Sequence, residues 1–193
     1  MNTTIDKPQH GADIFWGEIA PCEHLVQIYA DQGVFLDSLE GFVSGGFLAK
    51  EGVIVIATRA HLIALDQRLS ARGLDVSAAR ERDQYIPLDA TEALSKFLIK
   101  GWPDEELFER FVTEMIRRAG RDGRRVRAFG EMVAVLWARG QSGATIQLEH
   151  LWHRFCQTKA FSLFCAYPKS GFTQDTDASI REICAVRSKV IAQ

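Results

Sequence analysis

Val53-Ile-Val-Ile-Ala57 is apolar at every position and shows no alternation of apolar with polar residues. A strand of this kind is covered on both faces, which is typical of a parallel sheet packed between helices. Leu62, Leu65 and Leu69 recur at helical spacing just downstream, so a helix is predicted to begin at Thr58 or Arg59. The segment therefore predicts a buried strand that leads into a covering helix.

Strands and helices alternate in both directions from this point. Further strands are predicted at residues 24–30, 85–88, 126–129 and 161–166, and helices at residues 35–52, 89–98, 103–119, 131–137, 145–158 and from 179 onward. Such alternation predicts an α/β fold of three layers, with a mostly parallel central sheet flanked by helices. Residues 1–22 are interpreted as a partly ordered N-terminal leader, and residues 23–193 as a single domain that includes a C-terminal helix.

Composition argues against several classes of protein. The 193 residues are 47% hydrophobic and 25% charged, with a formal net charge of -2. This balance is that of a globular domain and predicts neither direct nucleic-acid binding nor attachment to an anionic membrane. The N-terminus lacks the pattern of a secretory signal, and the four cysteines lack the spacing of a disulfide framework, so we expect a cytoplasmic protein.

Polar and aromatic residues follow each predicted strand, where ligands bind in parallel sheets. These candidate ligand-binding residues are Tyr29, Thr58, Arg59, Asp89, Glu131 and Tyr167. If the strands are parallel, all six are expected around one concavity. The alternative for Thr58, Asp89 and Glu131 is that each only caps the helix that follows it.

Nucleotide hydrolysis is not expected from this chain. The loop after the first strand, Asp31-Gln-Gly-Val-Phe-Leu36, has one glycine and no lysine, and the sequence contains neither form of glycine-rich phosphate loop. The loop therefore lacks the glycine-rich series of backbone N–H groups and the cation that usually bind a triphosphate. No nucleophile motif is present either, so we expect no catalytic residues and no cofactor.

Two further groups of side chains carry competing interpretations. One group is an arginine cluster at the end of a predicted helix and in the turn after it. These arginines either form a solvated helix end or bind an anion or an acidic partner. They are Arg117, Arg118, Arg121, Arg124, Arg125 and Arg127. His150, His153 and Cys156 share one helix, but their spacing matches no standard zinc pattern. We interpret these three as ordinary helix residues and expect no metal site.

Three segments together resemble a known family. They are Val126-Arg-Ala-Phe-Gly-Glu-Met-Val-Ala-Val-Leu-Trp137, Leu148-Glu-His-Leu-Trp152 and Phe161-Ser-Leu-Phe-Cys-Ala-Tyr-Pro168. With His24 to Tyr29 and Val53 to Thr58 ahead of them, the chain resembles the MEDS family over about residues 22–191. MEDS denotes the methanogen/methylotroph sensory domain of DcmR-type dichloromethane-responsive repressors.

The resemblance implies a RecA/KaiC-like domain, a degenerate relative of the phosphate-loop NTPases. It also implies a sensory module for small molecules that acts on a histidine kinase or a transcription regulator. The chain has no room for either output domain, so we expect it to act in trans on a regulatory partner protein. Ile183-Cys184 and Arg187-Ser-Lys189 differ from the His-Ser-His type of ending expected of the family.

Three functions remain open from sequence. The first is a stand-alone sensory domain that binds an unidentified small molecule at the strand ends. The second is a protein-binding adaptor with no small ligand. The third is an enzyme that uses Glu131 as a general base.

Overall fold

The computed structural model describes residue 19, residues 23–171 and the backbone of residues 189–192. Eight strands are assigned within this part of the chain: β1 (His24–Tyr29), β2 (Gly52–Ala57), β3 (Tyr85–Asp89), β4 (Leu98–Ile99), β5 (Trp102–Pro103), β6 (Val126–Gly130), β7 (Phe161–Pro168) and β8 (Lys189–Ala192). The helices assigned there are α1 (Gln32–Leu48), α2 (Arg59–Ala71), α3 (Val76–Glu81), α4 (Ala90–Leu94), α5 (Glu105–Ala119), α6 (Met132–Ala138) and α7 (Ser142–Thr158), with short 3-10 turns at Arg121–Gly123 and Lys169–Gly171.

Six strands form one parallel sheet in the order β3-β2-β6-β7-β1-β8. Side chains of β2 alternate between its two faces: Val53, Val55 and Ala57 pack with α1, α2 and α3, whereas Ile54 and Ile56 pack with α4 to α7. All of β2 is buried, as its unbroken apolar pattern predicted. The three-layer α/β fold expected from the sequence is therefore confirmed.

The parallel arrangement brings the carboxyl ends of β1, β2 and β6 to one edge of the sheet. The register of β2 with its two neighbours shows that their carboxyl ends are level, because Ala57 lies opposite Asp89 and Ile56 lies opposite Gly130. The residues that follow β1, β2 and β6 therefore lie at the same edge of the sheet, although they are far apart in sequence and β7 lies between β6 and β1.

The chain departs from the predicted elements between residues 90 and 103. The helix expected to run through Leu98 ends at Leu94, and Leu98–Ile99 pairs with Trp102–Pro103 in a small antiparallel hairpin. Its two-residue turn has positive φ at both Lys100 (51°) and Gly101 (85°), the geometry that suits a tight hairpin. Leu98, the last residue of the predicted helix, therefore lies in the hairpin.

Other predictions fall outside the described part of the chain or were incomplete. The leader lies outside it except for the buried Ile19, as does the helix expected from Ser179. Helix α3 and strand β8 were not predicted. Trp152 is fully buried, whereas Trp137 is only partly buried at the edge of the core.

None of the described helices has both the length and the apolar character needed to span a bilayer.

Candidate functional site

Glu131 joins two loops at the carboxyl edge of the sheet. It follows β6 directly, and its backbone N–H donates to the Ile56 carbonyl at 2.8 Å. Its Oε2 accepts from the Thr58 backbone N–H at 2.8 Å, and its Oε1 lies 2.8 Å from Nδ1 of His61 in α2. Glu131 stands at the N-cap position of α6, but its side chain makes no capping bond. The interpretation that Glu131 only caps its helix is therefore wrong.

Gln32 extends this cluster to the loop after β1. Its side-chain nitrogen lies 2.7 Å from Nε2 of His61. An ionised carboxylate only accepts, so the neutral imidazole donates from Nδ1 to Glu131 and accepts at Nε2 from the Gln32 amide. Gln32 is exposed, whereas His61 and Glu131 are 8% and 5% exposed. The hydrogen-bonded series thus runs from solvent at Gln32 to a buried carboxylate.

Aromatic rings form one wall of the same cluster. Tyr29 stacks on Phe35 with ring centroids 4.6 Å apart, and Phe35 meets the His61 ring edge-on at 5.0 Å. Burial of the phenol, and secondly the negative charge of Glu131, raise the pKa of Tyr29 to about 12. Carboxylate, imidazole, amide and phenol therefore stand beside an apolar surface. We call Tyr29, Gln32, Thr58, His61 and Glu131 the edge cluster.

The other three predicted site residues do not join this cluster. Arg59 is exposed on the first turn of α2. Asp89 caps α4 by accepting from the N–H groups of Thr91 and Glu92. Tyr167 packs in the core under α4 to α7, whereas Tyr29 packs in the core under α1 to α3.

The prediction that all six residues surround one concavity is therefore wrong. Ile28, and not Tyr29, is the register partner of Tyr167, so the Tyr29 and Tyr167 side chains leave opposite faces of the sheet. The carboxyl-end argument located the edge correctly but did not specify the face. Thr58 occupies an N-cap position without a side-chain capping bond, and it contributes its backbone N–H to Glu131 instead.

Tyr167 belongs to a second polar cluster, which is fully buried. Its hydroxyl donates to Oε1 of Glu149 on α7. The other carboxylate oxygen, Oε2, lies 3.7 Å from Nε2 of His24, and this nitrogen is 3.4 Å from Sγ of Cys165. His24, Glu149 and Cys165 are each at most 1% exposed. We call these three residues the buried triad.

The arginine cluster lies near the opposite, amino-terminal edge of the sheet and is largely paired. Arg117 contacts Glu114 at 2.7 Å, Arg118 contacts Asp83 at 2.6 Å, and Arg125 lies 3.6 Å from Glu51. The Arg118 guanidinium, with help from its neighbours, lowers the pKa of Asp83.

Two of the arginines also border a surface cavity. Arg121 and Arg124 line it together with Lys50 and Arg82, in a space of about 630 Å³. Arg127 is not part of this surface, because it is 2% exposed and bonds to Glu51 at 2.5 Å and to the Phe42 carbonyl at 2.8 Å. For Arg127, the prediction of a solvated charge is wrong.

The three helix residues considered for metal binding diverge. His150 is exposed and His153 is half-buried on the outside of α7, where His153 contacts Gln157 at 2.9 Å. Cys156 is 2% exposed and faces the core. Sequence spacing on one helix therefore did not locate a set of ligands.

Sequence reasoning missed Gln32, His61, His24 and Glu149. His61 lies one turn into α2, three positions beyond the strand-end residue Thr58, and a search of strand ends alone does not include it. His24 and Cys165 are 141 positions apart, so no local spacing links them. The signal available was the alternation of β1 and β7, which puts His24 and Cys165 on the same side if the two strands are neighbours.

Comparison with known proteins identifies the family. No curated protein matches the chain. The family model described as MEDS, "MEthanogen/methylotroph, DcmR Sensory domain", matches residues 23–186. That range includes both clusters, and the family's description indicates a sensory or regulatory role. The chain belongs to the MEDS family of sensory domains.

Proposed function

We propose that this chain is a cytoplasmic sensory domain that binds a small molecule at the edge cluster and acts in trans on a regulatory partner protein. The observation that carries the proposal is the hydrogen-bonded series Gln32–His61–Glu131, which links the loops after β1, β2 and β6. A ligand that alters one bond of this series changes contacts of three loops together. That property suits a sensory module, in which binding of a ligand changes the protein surface that a partner contacts.

The chemistry of the edge cluster suggests a class of ligand. Nε2 of His61, which the bond from Nδ1 to Glu131 keeps as an acceptor, favours a hydrogen-bond donor such as an amine or alcohol, and the Tyr29 and Phe35 rings favour a small apolar body. Gln32 is the exposed member, so its amide is the group that a ligand replaces on His61. A one-carbon or short-chain compound with one polar end meets these requirements, in keeping with the family's description.

A role for Glu131 in holding His61 and the Thr58 loop is supported over a role as general base. Both carboxylate oxygens are engaged, Oε2 with the Thr58 N–H and Oε1 with His61. A base must reach the proton that it removes, and these contacts hold the carboxylate away from solvent. We therefore propose that the chain is not an enzyme, and we expect no ATP hydrolysis above a buffer blank.

Thermal-shift measurement with methylamine and methanol tests the ligand proposal, with dichloromethane as the comparison compound that has no N–H or O–H donor. A ligand that binds only the folded state raises Tm, and 100-fold excess over Kd adds about 2.7 kcal/mol of stability. The shift is expected in the wild type and in Asp89→Asn, the matched control at the same edge, and is expected to disappear in Glu131→Gln. Equal shifts in all three proteins would exclude the edge cluster as the binding site.

An adaptor without a small ligand is the second candidate, because one surface feature favours it. Ile99 and Trp102 are paired across the β4–β5 hairpin and are 49% and 55% exposed. Aromatic residues such as Trp102 are enriched where proteins bind partners. A Trp102→Ala variant that loses a protein partner while Glu131→Gln retains it would favour the adaptor.

A further inference from the structure

We propose that His24, Glu149 and Cys165 form a buried binding site for one divalent transition-metal ion, with Zn²⁺ as the best match. This site is separate from the edge cluster, because it lies on the face of the sheet covered by α4 to α7. Its existence does not depend on the small-molecule proposal.

The fold brings the three donors together by strand pairing and helix packing. Strands β1 and β7 are parallel neighbours with His24 opposite Leu163, so Cys165 lies two residues farther along β7 on the same face as His24. Helix α7 covers that face and contributes Glu149 from its buried side. Rigid elements therefore supply all three donors, which favours a defined geometry.

Two of the three donor–donor distances fit a tetrahedral ion. Zn²⁺ binds imidazole nitrogen, thiolate sulfur and carboxylate oxygen at about 2.0–2.3 Å, so two ligands of one ion lie about 3.3–3.8 Å apart. The separation is 3.4 Å from His24 Nε2 to Cys165 Sγ and 3.7 Å from His24 Nε2 to Glu149 Oε2. All three donor atoms lie within 4.8 Å of one another. Little movement is needed for them to share an ion.

Charge balance supports a divalent ion. A carboxylate that is 1% exposed is costly to bury unless it is neutralised or paired. With Zn²⁺ bound, the Glu149 carboxylate and the Cys165 thiolate together cancel the charge of the ion, and His24 binds as neutral imidazole. The Cys165 thiol releases its proton to solvent as the metal binds.

Tyr167 acts as a positioning residue in this site. Its hydroxyl donates to Oε1 of Glu149, which leaves Oε2 as the oxygen nearest His24. Hydrogen bonds of this kind orient metal ligands, and their removal usually lowers metal affinity about 10–100-fold. Among the described residues the triad supplies three donors, so the fourth ligand of a tetrahedral ion comes from outside the triad.

Titration of the full-length, chelator-treated protein with Co²⁺ and Zn²⁺ tests the proposal. Wild type is expected to bind a single ion per chain and to show a thiolate-to-cobalt charge-transfer band that Zn²⁺ abolishes. Cys156→Ser, which removes the other described buried thiol, is expected to retain the band. Cys165→Ser is expected to lose it, and Tyr167→Phe to retain it with about 10–100-fold weaker affinity.

Several results would overturn the site. The site would be refuted if wild-type protein bound neither Co²⁺ nor Zn²⁺ stoichiometrically. That result does not depend on whether any variant folds. A band that survives in Cys165→Ser, or that disappears in Cys156→Ser instead, would assign the metal to other ligands. Circular dichroism of each variant separates lost binding from lost folding.

Discussion

Replacing Glu131 by alanine should lower the free energy of unfolding by about 2–4 kcal/mol. The carboxylate is 5% exposed and accepts from the Thr58 N–H and from His61. A hydrogen bond to a charged group contributes about 1.5–3 kcal/mol, and a buried donor left without a partner costs about 1–3 kcal/mol. Partial access of water to the vacated space keeps the total below the sum of these terms.

Glutamine at the same position should cost only about 1 kcal/mol. Its carbonyl can accept from the Thr58 N–H, and its amide can donate to Nδ1 of His61 once the imidazole changes tautomer and the Gln32 side chain turns its carbonyl oxygen towards Nε2. Asp89→Asn is the control, because asparagine caps a helix about as well as aspartate, and it should change stability by less than about 0.5 kcal/mol. Urea unfolding followed by tryptophan fluorescence measures all three. An alanine variant as stable as the glutamine variant would refute the structural role assigned to the carboxylate.

Three further predictions concern the core, the phenol and the buried ion pair. Trp152→Ala should lose about 3–5 kcal/mol in urea unfolding because the ring is 1% exposed, and Trp137→Ala clearly less; equal losses would contradict the assigned burial. The Tyr29 phenol should titrate near pH 12 and not near 10 in an ultraviolet difference titration against Tyr29→Phe. Because the folded-state pKa of this phenol is raised, its contribution to the free energy of unfolding is full below pH 10 and is lost as the pH rises to 12. Arg127→Ala should cost about 3–5 kcal/mol by leaving Glu51 buried without this partner, and a cost below 1 kcal/mol would show that water reaches the carboxylate.

Local patterns in the sequence predicted most of the fold. The unbroken apolar run of β2 indicated a strand buried on both faces, and the apolar stripe of α5 fixed that helix to within two residues. The β4–β5 hairpin was missed because two-residue strands leave no period to detect. Its Lys100-Gly101 turn becomes informative only when the positive φ of both residues is known.

The candidate site was predictable only in part, for a physical reason. Strand ends in a parallel sheet meet at one edge, so the prediction that Tyr29, Thr58 and Glu131 lie near one another was correct. The face on which a side chain lies depends on strand order and register, and these arise from long-range packing. Tyr167 was therefore assigned to the wrong cluster, and His61 and Gln32 became visible only through their contacts with each other and with Glu131.

Native mass spectrometry of freshly purified wild-type protein, Glu131→Gln and Asp89→Asn tests the central claim most directly. We expect a bound organic molecule of low mass on the wild type and on Asp89→Asn, released on denaturation and absent from Glu131→Gln. Any metal adduct is distinguished from it by its mass and by its removal with chelator. Ligand sensing at the edge cluster would be contradicted by an adduct that all three proteins retain. It would also be contradicted if wild-type protein carried no such molecule and bound neither methylamine nor methanol.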